Sequence, residues 1–283
     1  MTLKSVMGSY SSAKSIAAIV LFCLIVSLPG FFTTPPIDRD EPRFAQATKQ
    51  MVTSQNYIDI RFGDKPRYKK PVGIHWLQTL SVWASGYGSK APIWVYRIPS
   101  LIALILSSLL IWQIASVFFR RQVVFASVAL FPLLILTSVE VRLAKSDMVL
   151  LFTVLLMILP LARSWANQSK SFDAYIFWGG LGASILIKGP IGLTLIILMT
   201  SSLSIWSRRV SWLRPLWNPI SVALTVLFTV PWFIAIGFES NGEFYRLALG
   251  EDLIGKLKEV KESHGAPPGF YTLRPQYKAY FPV

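Results

Sequence analysis

The chain of 283 residues is apolar and carries few charges, most of them positive. Hydrophobic residues make up 53% of it and charged residues 15%, whereas a typical soluble domain has about 25% charged residues. Lysine and arginine number 28 against 14 acidic residues, a formal net charge of +14. This composition excludes a disordered chain, a disulfide scaffold and an ordinary soluble enzyme. It indicates an integral membrane protein with basic polar edges.

Seven apolar runs approach the length of a membrane span, which is about 20 residues for a helix. The runs are 15–33, 93–119, 122–139, 147–162, 174–187, 190–206 and 216–238. The fifth and sixth meet at Lys188-Gly189-Pro190, which predicts a tight turn between two short spans instead of one long helix. The sequence therefore predicts an all-α fold, a polytopic transmembrane helical bundle of about seven spans.

The short loops are basic on one side of these spans. Alternation of the spans assigns nine basic residues and one acidic residue to that side. They are Lys4, Lys14, Arg120, Arg121, Arg163, Lys170, Arg208, Arg209 and Arg214, with Asp173 as the acid. Such a bias is typical of the cytoplasmic face. The long loops 34–92 and 239–283 then lie on the extracytoplasmic face, where we expect the chemistry.

The first long loop opens with Asp38-Arg39-Asp40-Glu41-Pro42-Arg43. Charges are costly near lipid, so a cluster directly after a span favours a functional role. Pro42 suits the first turn of a helix, and the apolar spacing predicts a helix over 42–54 that lies on the membrane surface. Helix capping is the structural alternative, but it accounts for one carboxylate and not for three.

Cations dominate the next part of this loop. Residues 65–70 hold four of them, Lys65, Arg67, Lys69 and Lys70, between prolines and ahead of an aromatic stretch. This pattern suits an anionic lipid phosphate, and a general polybasic membrane anchor is the alternative. The segment has no glycine-rich phosphate loop, so a nucleotide site is not predicted.

Three further segments place polar residues at the same membrane surface. Asp147 opens an apolar run after the turn 140–146, Lys188 stands between two spans, and His264 lies in a loop rich in glycine and proline. Helix capping is the alternative role for Asp147, and lipid snorkelling is the alternative for Lys188. Taken together, the segments predict a site that binds an anionic lipid and activates a hydroxyl beside it.

These motifs carry a resemblance to a known family. In order they are Asp40-Glu41-Pro42-Arg43-Phe44-Ala45, Tyr68-Lys69-Lys70-Pro71 with Trp76-Leu77, Arg142 to Asp147, Lys188-Gly189-Pro190, and His264 to Tyr271. The sequence resembles the bacterial membrane glycosyltransferases of the GT-C superfamily, family 39, which include relatives of protein O-mannosyltransferases and the lipid A aminoarabinose transferase. The resemblance implies a polyprenyl-phosphate-linked sugar donor, an extracytoplasmic active site and inversion at the anomeric carbon.

The resemblance also implies roles for individual residues. Asp40 matches the base for the acceptor, with Glu41 beside it, and Asp147 matches a second catalytic acid. The expected ligands of the donor and its phosphate are Lys70, Lys69, Arg43, Arg142, Lys188 and His264. Because lysine and arginine can neutralise a monophosphate, no cofactor is required. A magnesium or manganese ion bound by Asp40 and Glu41 is the alternative that the sequence leaves open.

The sequence thus predicts a multi-pass inner-membrane glycosyltransferase, a hexosyl- or pentosyltransferase. Its expected partners are membrane lipids, the polyprenyl-phosphate donor and an acceptor, with lipid A or a glycolipid favoured and protein Ser/Thr next; nucleic acid is not a predicted partner. Members of the family are commonly longer, so residues 1–283 are expected to be the N-terminal transmembrane catalytic region without the C-terminal part. The alternatives are a transporter or flippase for lipid-linked sugars and an inactive truncated protein.

Overall fold

The computed structural model describes residues 13–248, which form a helical bundle with one small hairpin. The helices are α1 (Ala13–Ser27), α2 (Glu41–Ser54), α3 (Gly73–Ser85), α4 (Ile93–Phe118), α5 (Arg121–Leu130), α6 (Ile135–Glu140), α7 (Asp147–Trp165), α8 (Asp173–Lys188), α9 (Ile191–Ser207), α10 (Pro219–Glu239) and α11 (Glu243–Tyr245). Single 3₁₀ turns or short 3₁₀ helices lie at Gly88–Lys90, Phe131–Leu133 and Ser211–Leu216. Strands β1 (Arg61–Phe62) and β2 (Lys65–Pro66) pair antiparallel.

Helix α7 is the centre of the bundle. It packs most extensively against α4 and α8, and 61% of its most apolar stretch is buried, against 22% for α10. Within residues 13–248, helices α4, α7 and α10 are long and apolar enough to cross a membrane. Large apolar side chains such as Ile205, Trp206 and Phe238 are exposed on the outer helices, as expected of a surface that faces lipid. The predicted all-α, polytopic membrane fold is confirmed.

The other predicted spans are shorter helices. Helices α1, α8 and α9 have 15, 16 and 17 residues. The predicted continuous span over 122–139 is wrong, because α5 ends at Leu130 and α6 begins at Ile135. Pro132 lies in the 3₁₀ turn between them, and a proline has no amide hydrogen to continue the helical hydrogen bonds.

The predicted turn between 174–187 and 190–206 is confirmed. Helix α8 ends at Lys188 and α9 begins at Ile191. Gly189 adopts φ +66°, in the left-handed region that glycine tolerates. A Cβ on Gly192 would lie 2.7 Å from Cβ of Ser184, so this glycine allows the start of α9 to pack directly on α8.

Helix α2 forms as predicted, but its apolar face packs on protein. Phe44, Thr48 and Met51 recur at helical spacing and are buried. They face α3, where the Thr48 hydroxyl lies 2.8 Å from Nδ1 of His75. The prediction that this face rests on lipid is therefore corrected: the loop that carries α2 is docked onto the bundle.

A buried ion pair fixes that docking. Glu41 at the start of α2 and Arg97 in α4 are both fully buried, and Arg97 Nε lies 2.7 Å from Glu41 Oε1. The same carboxylate oxygen accepts the backbone amide of Ala144 at 3.0 Å. Arg97 Nη1 donates to the carbonyls of Phe31 and Thr34 at 3.0 and 2.8 Å. One pair thus joins the loop after α1, helix α2, helix α4 and the turn before α7.

We predict that Glu41→Gln lowers the stability of the protein by about 3–5 kcal/mol, because removing one charge of a buried pair leaves the other uncompensated. The measurement is the thermal unfolding midpoint of the purified chain in detergent. Asp64→Asn is the matched control, since Asp64 is exposed in the turn between β1 and β2. Equal midpoints for Glu41→Gln and the unchanged protein would contradict this assignment.

Candidate active site

The predicted charged residues converge at one end of the bundle, where α2, α3 and α7 begin and α8 ends. Gly73 accounts for part of this convergence. A Cβ at Gly73 would lie 2.7 Å from the carbonyl oxygen of Leu186, so only glycine lets the start of α3 approach the end of α8 this closely. The approach brings Lys188 near enough to Lys70 for its charge to lower the pKa of Lys70.

Asp147 and Lys188 form an ion pair between the start of α7 and the end of α8. Both side chains are half-buried. Ser146 occupies the N-cap position of α7, so Asp147 is not the capping residue that the structural alternative required. Lys188 reaches a carboxylate, not the lipid that simple snorkelling requires. The two residues that the sequence selected from separate segments are in direct contact.

Lys70 lies beside this pair. Its ammonium is 4.8 Å from the centre of the Phe44 ring, a cation–π contact. Burial first, and then the charge of Lys188, lower the pKa of Lys70 to about 8, although Asp147 and Asp40 partly oppose the shift. Within residues 13–248, no carboxylate is close enough to form an ion pair with Lys70. Lys70 is therefore a partly desolvated cation that an incoming anion can neutralise.

Asp40 lies at the open edge of the cluster. Its Oδ1 is 3.4 Å from Arg43 Nη1 and 3.8 Å from Arg67 Nη2. The Asp40 side chain is 40% exposed, whereas that of Glu41 is 0% exposed. The Arg67 guanidinium also covers the Phe44 ring, 5.4 Å from its centre. Asp40 is thus oriented by partners and is also accessible to a substrate.

Lys145 adds a cation that sequence reasoning did not assign to the site. Its ammonium lies 3.3 Å from Asp38 Oδ2 and 3.7 Å from Glu140 Oε1. Burial acts to lower the pKa of Lys145, but Glu140, Asp38 and Asp147 outweigh it and raise the pKa. Lys145 therefore remains charged. Lys145 stands inside the motif Arg142 to Asp147 that carried the family resemblance. Arg67 likewise received no role of its own, although it is one of the four cations of residues 65–70.

Two predicted site residues have structural roles. The Glu41 carboxylate is fully occupied by Arg97 and the Ala144 amide, so its predicted catalytic role is corrected. Arg142 donates from Nε to the carbonyl of Pro29 at 3.0 Å and from Nη2 to that of Val26 at 2.8 Å. These carbonyls lie at the end of α1, where a cation is favourable. Arg142 thus ties α1 to the turn before α7, and its predicted phosphate contact is corrected as well.

The remaining predicted residues differ in position. Lys69 is exposed, with no side-chain partner within 13–248, and Arg43 faces Asp40. His264 lies outside the described residues.

In 13–248 no group of three His, Cys, Asp or Glu side chains is arranged to hold a metal ion. Because Glu41 is engaged by Arg97, a magnesium or manganese site built on Asp40 and Glu41 does not fit this geometry.

A buried polar network packs against one side of the Phe44 ring. Phe44 stacks on His75 with centres 5.6 Å apart, and Thr48 donates to Oε1 of Gln78 at 2.6 Å. Since the one hydroxyl hydrogen of Thr48 is used there, Nδ1 of His75 is the donor to Thr48. Burial, with Arg67 and Lys70, lowers the pKa of His75 to about 3. A neutral imidazole therefore stacks on the same ring that Lys70 and Arg67 contact as cations.

Comparisons with known proteins agree with this architecture. The family model described as dolichyl-phosphate-mannose-protein mannosyltransferase matches residues 69–234. Two relatives are named undecaprenyl phosphate-alpha-4-amino-4-deoxy-L-arabinose arabinosyl transferase. The one from Edwardsiella ictaluri is 29% identical over 89% of this chain and 45% of its own length. The one from Erwinia tasmaniensis is 24% identical over 82% of this chain and 42% of its own length.

Solved structures share the fold. The crystal structure of ArnT from Cupriavidus metallidurans in the apo state has a TM-score of 0.75 and 20% identity, and the match covers 84% of this chain and 45% of that one. The same protein bound to undecaprenyl phosphate gives a TM-score of 0.71 and 19% identity over 86% of this chain. The chain spans about half the length of the relatives it matches. Since the family model covers more than half of the chain, the resemblance to GT-C family 39 is confirmed, and the chain belongs to the dolichyl-phosphate-mannose-protein mannosyltransferase family.

Proposed function

We propose that the chain forms the catalytic membrane region of a glycosyltransferase that moves a sugar from a polyprenyl-phosphate-linked donor to an acceptor of the cell envelope. One observation carries the proposal: Lys70 is a half-buried cation without a carboxylate partner in 13–248, beside the Asp147–Lys188 pair and near Asp40. The names of the relatives and the undecaprenyl phosphate bound to ArnT support this class of donor.

Lys70 is the first residue that the donor phosphate meets. A phosphate placed against Lys70 also lies within the influence of Lys188 and Lys145, since the charges of both lysines act on Lys70 and lower its pKa. As the sugar leaves, the phosphate gains negative charge, and fixed cations stabilise that charge without reorganisation. Lys188 can shift from Asp147 to the phosphate, which would free the Asp147 carboxylate to contact the sugar.

The transfer itself needs one carboxylate on the acceptor side. In our proposal the acceptor hydroxyl oxygen forms a bond to the anomeric carbon while its proton passes to Asp40. The bond between the anomeric carbon and the phosphate oxygen breaks, and its electron pair remains on the phosphate. Attack from the face opposite the leaving group inverts the anomeric centre. Arg43 and Arg67 orient Asp40 for this role.

The favoured acceptor is lipid A or a related glycolipid at the extracytoplasmic face of the inner membrane, and protein Ser/Thr is the alternative. Mass spectrometry of lipid A and envelope proteins, from cells with and without the gene, distinguishes them. A pentose or hexose added to lipid A supports the first acceptor, and a glycosylated protein supports the second. If neither changes while lipid-linked sugar moves between leaflets, the protein is a flippase and the proposal fails.

We predict that Asp40→Asn abolishes sugar transfer and leaves donor binding largely intact, because the amide cannot take the acceptor proton. The measurements are transfer of labelled sugar and binding of undecaprenyl phosphate to the chain in nanodiscs. Asp64→Asn is the matched control: Asp64 is an acid of the same loop that is exposed in the turn between β1 and β2, outside the cluster. Transfer by Asp40→Asn at the parent rate would show that Asp40 is not the base.

We further predict that affinity for undecaprenyl phosphate falls as the pH rises through about 8. The lowered pKa of Lys70 means that its positive charge is lost in this range, whereas a phosphate monoester is already fully charged above about pH 7. Lys70→Arg keeps its charge, so its binding should vary little between about pH 7 and 9. If the affinity of the unchanged protein and that of Lys70→Arg fall in parallel as the pH rises, titration of Lys70 is not the cause.

A further inference from the structure

A polar pocket of about 320 Å³ lies at the end of the bundle opposite the candidate active site. Ser164, Trp165, Asn167, Ser169, Arg209 and Ser211 line it, together with Trp212 and Pro215. The 19-residue helix α7 has Asp147 at one end and Trp165 at the other, so about 27 Å of helix separates the two places. The pocket is therefore independent of the donor site.

The surroundings of this pocket are positively charged and not neutralised. Arg209 lines it, and Lys170, Arg208 and Arg214 stand on the adjoining loops; all four are exposed. Their side chains form no ion pair or hydrogen bond within residues 13–248. The acid of this region, Asp173, is buried and already bonded to Arg163 and to the amide of Lys170. No carboxylate lines the pocket.

The pocket also offers neutral hydrogen-bond donors. The side chains of Asn167, Ser169 and Ser211 have no partner within 13–248, whereas the Ser164 hydroxyl is bonded to the carbonyl of Trp212. A loop that only orients a protein in the membrane requires cations. It does not require a concave arrangement of hydroxyl, amide and guanidinium groups, which suits the oxygens of a phosphate.

Exposed aromatic side chains mark the depth of the pocket. Trp206 is 89% exposed at the end of α9, Phe172 is 71% exposed before α8, and Trp217 is 70% exposed before α10. Trp165 and Trp212 meet edge to face at the pocket wall, with centres 5.2 Å apart. Tryptophan concentrates at the level of lipid headgroups. The pocket thus opens where the phosphates of one leaflet lie.

We propose that this pocket binds the phosphate headgroup of an anionic phospholipid, with Arg209 as its charged ligand and Asn167, Ser169 and Ser211 as hydrogen-bond donors. The lipid would join the end of α7 to the segment between α9 and α10. It is a structural lipid, bound at the leaflet opposite the candidate active site.

The test is native mass spectrometry of the purified chain with added phosphatidylglycerol or phosphatidylcholine. The unchanged protein should retain phosphatidylglycerol preferentially. Arg209→Gln with Arg214→Gln should weaken that binding about tenfold or more, since each cation near the surface contributes about 1 kcal/mol. Arg120→Gln with Arg121→Gln is the matched control: it removes the same charge from the same face, but neither residue lines the pocket, as Arg209 does, or stands on an adjoining loop, as Arg214 does.

A second variant tests the pocket without removing a cation. Ser169→Asp places a carboxylate among the lining groups and should also displace phosphatidylglycerol, whereas Lys70→Ala should leave its retention unchanged. Equal weakening by the two arginine pairs would overturn the proposal in favour of general surface charge. Retention of the two lipids in equal amounts, or full displacement by inorganic phosphate alone, would also overturn it.

Discussion

The buried pair of Glu41 and Arg97 is the constraint on which the candidate active site depends. A guanidinium has five N–H donors, and those of Arg97 meet both oxygens of Glu41 and the carbonyls of Phe31, Thr34 and Pro35. Burial of two charges is costly unless every donor and acceptor is satisfied. Here the pair is satisfied only when the first loop, α4 and the turn at Ala144 are all in place. Asp40 and Lys145 are positioned as a consequence.

Within residues 13–248, the partly buried charges of the candidate active site are ion-paired except at one point. Arg43 and Arg67 face Asp40, Lys145 faces Asp38 and Glu140, and Lys188 faces Asp147. Lys70 instead rests on the Phe44 ring, and its lowered pKa reflects burial without a carboxylate partner. An anion is the partner that this arrangement lacks. In the proposed function a lipid-linked phosphate supplies it, where the helices α3, α7 and α8 meet.

Much of this site could be predicted from the sequence, because charges are rare in the chain and stand out at the ends of apolar runs. The clusters 38–43 and 65–70, Asp147 and Lys188 stand out in this way. The family resemblance singles out Asp40 and Lys70 within their clusters, and the fold brings the four residues together. The roles of Glu41 and Arg142 could not be predicted, since motif position does not show whether a charge faces a substrate or a buried partner. Arg97 was overlooked, although a single arginine within an apolar helix is costly and implies a buried counter-charge. The helix break at Pro132 was not predicted either, because one proline changes the average hydropathy of residues 122–139 very little.

The central claim is that Lys70 and its neighbours hold the phosphate of a polyprenyl donor. The most direct measurement is an experimental structure of the chain in a lipid nanodisc with undecaprenyl phosphate bound. The account predicts that the phosphate lies within hydrogen-bond distance of Lys70, with Lys188 or Lys145 as a second cation and Asp40 facing the space beside it. A phosphate bound elsewhere, with Lys70 still resting on Phe44 and Lys188 still paired with Asp147, would contradict it.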